Sequence, residues 1–368
     1  MDLGFSDAAE RRAVLLRAAG DLVPLVAATA AERDASAEFP DAEFDLLRAA
    51  GILAAPLPVA LGGLGFGTAP EAAADTASLL RLIGRASLPV GRVFEGHMNA
   101  LRLICRLGSA SQSAAAAGDV HDGHLFGVWN TDPGGGAPRF EDGVLEGAKI
   151  LCSGAGHVTR ALITTAGEPR PLALVKLVRG ERMDLSGWTA QGMRASATGR
   201  VEFDGLGGAA VDFIGAPGAY LAQPDFSGGA WRVIAVQLGG LDAVVEALRA
   251  GLVQRGRQDD PHQLARVGAA LIAQETAARF VERAAVLAEA EHRDTESVVA
   301  YVGLARIAVE TACLDAMRLA QRSLGLPAFI RPARIERICR DLATYLRQPV
   351  PDSTLSEAAA WFMTHDLP

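Results

Sequence analysis

Asn130-Thr-Asp-Pro-Gly-Gly-Gly-Ala137 marks the point at which the character of the chain changes. The run Leu125–Trp129 before it is apolar and rich in strand formers. The Asp-Pro-Gly and triple-glycine sequence continues neither a strand nor a helix, so a strand ends here in a turn. Further short runs of the same kind follow at Ala161–Thr165, Leu172–Val178 and Gly199–Phe203, each bounded by Gly, Pro or Asp. They read as strands joined by turns. Upstream, apolar residues recur at helical spacing in Ala13, Leu16, Gly20 and Val23, and again in Phe44, Leu47 and Ile52. A Gly/Pro connector from Pro56 to Gly67 interrupts them, and helical character returns from about Pro70 to Leu107. Downstream, four long segments read as helices: Trp231–Arg255, Gln263–Ala290, Ser297–Leu324 and Arg334–Leu346. Pro261, Asp294 and Gly325-Leu-Pro327 punctuate them. Helices of that length with one apolar side imply an antiparallel bundle. The expected fold is mainly α with a central β domain (α+β). It comprises an N-terminal helical domain over 1–117, a small β-barrel-like middle domain over 118–225 and a C-terminal four-helix bundle over 226–368.

With 368 residues, half of them hydrophobic, the chain has ample core for such modules. The net charge of −8 and the scattered basic residues argue against nucleic acid or an anionic membrane as partner. Cys105, Cys152, Cys313 and Cys339 form no CxxC pair, which suits buried thiols in a reducing compartment. The acidic residues near the N-terminus do not suit a signal peptide. A cytoplasmic location is expected. His121 and His124 have metal-ligand side chains but no further ligand nearby in sequence, so no metal is expected.

Five strings, in order along the chain, resemble motifs of the acyl-CoA dehydrogenase superfamily. Leu57-Pro-Val-Ala-Leu-Gly-Gly-Leu-Gly65 resembles an LPxxxGGxG connector. Asn130 to Ala137 resembles TEPGAGS, with Asp132 for Glu and Ala137 for Ser. Gly147-Ala-Lys-Ile-Leu-Cys-Ser-Gly-Ala155 resembles GxKxWITNA, with Leu151 where a flavin-stacking Trp is common. Gly192-Met-Arg-Ala-Ser-Ala-Thr198 and Val201-Glu-Phe-Asp204 resemble the stretch closing the family's β domain. There Arg194 either holds a phosphate or pairs with a surface carboxylate. Gln321-Arg-Ser-Leu-Gly325 and Glu336-Arg-Ile-Cys-Arg-Asp341 resemble QxxGGxG and ERxxRD, with Arg340 and Asp341 read as a mutual ion pair.

The resemblance implies an FAD-dependent oxidoreductase acting on an acyl thioester or other small molecule. Asn130, Thr131, Cys152 and Ser153 would lie at the flavin ring. Arg257 would meet the pyrophosphate, and Gln321 and Gly325 the adenine end across a subunit boundary. A homodimer or homotetramer and an electron-transfer partner are implied as well. Dehydrogenation of this kind needs a carboxylate base, yet counting from Arg340-Asp341 puts Pro349 at its place. Asp225 precedes the first bundle helix, and Glu357 is displaced, so no base is assigned. Two rivals follow: a flavin monooxygenase on the same fold, with His97 of Glu95-Gly-His-Met-Asn99 beside Ser153, and a scaffold that has lost catalysis.

Overall fold

The structure, a computed structural model, describes residues 3–292 and 294–368. Helices α1 (Leu3–Ser36), α2 (Asp41–Ala49), α3 (Ala73–Ala86), α4 (Leu88–Leu107) and α5 (Ala110–His121) come first. Ten short strands follow: β1 (Phe126–Trp129), β2 (Arg139–Glu141), β3 (Val144–Glu146), β4 (Ala148–Cys152), β5 (Arg160–Thr164), β6 (Leu172–Lys176), β7 (Met183–Asp184), β8 (Gly199–Glu202), β9 (Leu206–Gly207) and β10 (Val211–Phe213). The short α6 (Asp225–Gly228) leads into α7 (Trp231–Gln254), α8 (Pro261–Glu289), α9 (Thr295–Leu324), α10 (Arg334–Tyr345) and α11 (Pro351–Phe362). The expected helix–sheet–helix order is thus present. Helix α5 runs to His121, and Ile52 lies beyond the end of α2.

The strands form three small sheets, ordered β1-β5-β6-β10, β2-β3-β9 and β4-β8-β7. Strands β1 and β5 run parallel; β5, β6 and β10 pair antiparallel. Strand β4 carries a register irregularity between Lys149 and Cys152 against β8.

Helix α7 is the axis of the molecule, with Trp231, Leu241, Val244 and Leu248 fully buried. It packs on α3 at backbone contact: a Cβ on Gly84 would lie 2.2 Å from the Val236 carbonyl, and one on Gly239 2.1 Å from that of Arg81. Any larger residue at either position would push the two helices apart. This crossing ties the N-terminal helices to the bundle.

Arg340 and Asp341 do not pair with each other. Arg340 bonds Asp34 of α1 (2.6 and 3.0 Å), Glu336 and the Gln191 carbonyl, whereas Asp341 accepts from the Met193 N–H (2.6 Å). Successive residues on a helix point about 100° apart, so the dipeptide fastens α10 to two different neighbours. By length and composition α1 and α9 would each reach across a bilayer, but half of the α9 stretch is buried within the protein.

Candidate functional site

A cavity of about 360 Å³ opens where α4, the end of β1, α6, the start of α7 and the α10–α11 turn converge. The α4 wall is set by helical periodicity. Arg92, Glu95, Asn99 and Arg102 recur at three- to four-residue spacing and line the cavity together. Glu95 receives Arg92 (2.7 Å) and the Asn99 amide, so both of its oxygens are taken. His97 is two positions on, roughly half a turn round the helix. It is fully buried on the far face, where its Nε2 lies 2.8 Å from the Leu53 carbonyl and its Nδ1 accepts from the Phe126 N–H (3.1 Å). Burial pushes His97 down to about 4. It is a neutral strut between two backbone segments and is not among the cavity-lining residues.

The bundle wall holds a buried charge cluster. Arg232, 4 % exposed, donates from Nη1 to Glu289 (2.7 Å) and from Nε to Asn99. Glu289 also accepts from Arg102 (3.0 Å) and from the Trp231 indole (3.1 Å). Burial acts to raise the Glu289 pKa, but Arg232 and Arg102 outweigh it and hold the carboxyl below its ordinary value. Burial pushes Arg232 down to about 10, with Arg102 adding to the effect. Asp225 bridges Arg102 (3.4 Å) and Arg106 (3.0 Å). Apolar side chains would stabilise such a position at least as well, so folding alone does not account for the cluster.

The α10–α11 turn closes the site with Tyr345, Gln348 and Pro349. The Tyr345 carbonyl accepts from Gln237 (3.0 Å) and Gln348 (2.9 Å), and the Pro349 carbonyl accepts from Arg306 (3.0 Å). The position counted from the sequence as the base therefore does face the cavity, and it is a proline.

The β-domain wall is made by Trp129, Asn130, Thr131 and Leu151. The Trp129 indole donates to the Ser153 carbonyl (3.0 Å), and the Ile150 N–H donates to that of Thr131 (3.0 Å). Fully buried Lys149 donates to Asp132 and Thr164, Arg170 also grips Asp132, and Thr164 donates to Asn130. Asp132 thus anchors the turn. Leu151 stands 56 % exposed with φ +56° at the β4 irregularity. A left-handed leucine costs about 1–2 kcal/mol, and such strain concentrates at functional sites. Ser153, two residues on, accepts from the Thr198 hydroxyl (3.3 Å). Cys152 turns the other way: its side chain is fully buried, and burial pushes the thiol up. Its thiol does not reach the cavity.

Arg257, Gln321 and Gly325 lie at the opposite end of the bundle. Arg257 sits in the α7–α8 turn and pairs with Asp260 (3.0 Å), which also caps α8 through the His262 and Gln263 amides. Arg255 reaches the Leu324 carbonyl (2.5 Å), bringing this turn beside Gln321 and Gly325. The 24 residues of α7 separate this group from the cavity by about 36 Å.

Residues 15–123 match the family model of the acyl-CoA dehydrogenase N-terminal domain. FMN-bound TdsC from Paenibacillus sp. A11-2 superposes with a TM-score of 0.81 at 20 % identity, over 96 % of this chain and 98 % of that one. Methanesulfinate monooxygenase MsuC from Pseudomonas fluorescens gives 0.81 at 21 %, over 96 % and 97 %. Butyryl-CoA dehydrogenase from Megasphaera elsdenii gives 0.81 at 16 %, over 96 % and 98 %. No curated protein sequence matches the chain. The chain has the acyl-CoA dehydrogenase fold, as the five motifs implied.

Proposed function

We propose that this chain is a flavin-dependent oxidoreductase of the monooxygenase type, acting on a small polar molecule in the cavity at the head of α7. The flavin, when bound, supplies two electrons to dioxygen, which passes one oxygen atom to the substrate and the other to water. The observation that carries this reading is the absence of an uncommitted carboxylate among the described residues lining the cavity. Pro349 stands at the expected base position, Glu95 is held by Arg92 and Asn99, and Asp225 by Arg102 and Arg106. Proton abstraction next to a thioester needs such a base; oxygen transfer from a flavin does not. The fold is shared with TdsC and MsuC and equally with butyryl-CoA dehydrogenase, so the cavity rather than the fold makes this choice.

The residues fit a flavin ring at the β-domain wall. Thr131 offers a hydroxyl, Leu151 an exposed apolar face for a planar ring, and the Trp129–Ser153 bond fixes the backbone between them. Within one chain Arg257, Gln321 and Gly325 lie an α7 length away, so they would meet a dinucleotide tail only from a neighbouring subunit. FMN, the flavin bound by TdsC, is the form we assign. A reductase would supply the reduced flavin.

The expected oligomer finds support in α8, where Leu264, Leu271 and Ile272 share one exposed face. Four unpaired cysteines agree with a cytoplasmic location.

The test mixes the purified protein with reduced FMN. Protein-dependent change in oxygen uptake, together with no anaerobic bleaching of bound flavin by butyryl-CoA, is expected. Bleaching by the thioester would establish dehydrogenation instead.

A further inference from the structure

The polar groups around the cavity are unevenly committed. Its carboxylates are used: Glu95 and Glu289 have both oxygens bonded, and Asp225 bridges two arginines. Asn99 is used at both ends, giving to Glu95 and accepting from Arg232. Its donors are not. Arg232 has partners on Nε and Nη1, and no acceptor for its Nη2 is found among the described residues. The Tyr345 hydroxyl is buried without any hydrogen-bond partner, on a side chain 6 % exposed. A buried hydroxyl left unpaired costs about 1–3 kcal/mol, a cost that a ligand acceptor would offset. A cavity with spare donors and spent carboxylates suits a group that only accepts.

We propose that the cavity binds a small organic oxyanion of the carboxylate type, held by Arg232 Nη2 and the Tyr345 hydroxyl. This rests on the same cavity as the monooxygenase reading and names the class of its substrate. Burial drives the Tyr345 phenol up, so it remains a donor across the working pH range. Both side chains come from the helical bundle, whereas Thr131 and Leu151 come from the β domain, so flavin ring and anion approach from different walls.

The test is calorimetric titration of the full chain with benzoate and with its neutral isostere benzamide, each with and without FMN. Benzoate is expected to bind, and benzamide about tenfold or more weakly, the worth of one charge-assisted hydrogen bond. Tyr345→Phe removes only the unpartnered hydroxyl. It is expected to weaken benzoate about fivefold without lowering the melting temperature. Arg232→Gln is expected to abolish benzoate binding; should it fail to fold, Tyr345→Phe decides alone. Equal binding of benzoate and benzamide, no binding of either, or no effect of Tyr345→Phe overturns the proposal. Loss of FMN but not riboflavin affinity in Arg232→Gln would assign the oxyanion to the cofactor phosphate and overturn it as well. Benzoate binding without FMN binding would keep the anion site and remove the monooxygenase reading, so the two fail separately.

Discussion

The two ends of α7 spend their arginines differently. At its start Arg232 lies buried in a network with Glu289, Asn99 and Trp231 beside a cavity. At its end Arg257 is exposed and holds one aspartate that already caps the next helix. Desolvating a charge costs several kcal/mol, so the first arrangement persists only with a complete set of partners, whereas the second costs almost nothing to keep or lose. Where the chain carries expensive polarity, chemistry is the better explanation; where it carries cheap polarity, the surface is. The motif resemblance weighted both ends equally, and the structure does not.

Breaking the network at the cavity gives the largest effect. Glu289→Gln leaves Arg102 and Arg232 buried against a neutral amide and is expected to cost about 3–5 kcal/mol in urea unfolding. A loss below about 1 kcal/mol would mean that water reaches the cluster and that the contrast between the ends is false.

Asp341 is pushed up to about 6 by burial, against which the distant Arg337 (3.5 Å) and the Met193 amide only partly act. Its folded pKa lies above the unfolded value of about 3.9, so the native state holds the extra proton between those values. Stability attributable to Asp341 therefore falls as pH rises from about 4 to about 6. Glu289, held low, acts in the opposite sense: its contribution is present above its unfolded value and is lost as pH falls through the folded one. Melting temperatures of Asp341→Asn measured across that window are expected to lack the Asp341 decline.

Leu151→Gly removes the strained apolar wall. It is expected to weaken FMN about tenfold by fluorescence titration while leaving the melting temperature unchanged or slightly raised, since glycine accepts the positive φ. Arg257→Ala has the smallest effect. It is expected to change stability by less than about 1 kcal/mol and to leave FMN affinity unaltered. A selective loss of FAD affinity in that variant would show that the far end serves a neighbouring subunit's cofactor.

The fold was legible because its signals are local. Glycine and proline punctuation bounds β1, and Pro261 and Asp294 open α8 and α9 where the pattern predicts. Asn130 and Thr131, singled out by motif, line the cavity, where the end of β1 puts them. The other wall was not. Arg92, Glu95, Asn99 and Arg102 form a polar stripe at helical spacing on an otherwise apolar helix, which was readable, but His97 drew attention by residue type and sits on the opposite face. Arg232, Glu289 and Tyr345 meet only through tertiary packing, and no spacing along the chain announces them. Cys152 and Ser153 were grouped by motif, and neither is among the described residues that line the cavity.

A flavin seated in the cavity beside Thr131 and Leu151 would be seen in the visible absorption spectrum of the purified protein titrated with FMN. A saturable, perturbed flavin spectrum is expected, with FMN bound at least as tightly as FAD. An unperturbed spectrum with FMN in excess would contradict it and leave a fold without its redox chemistry.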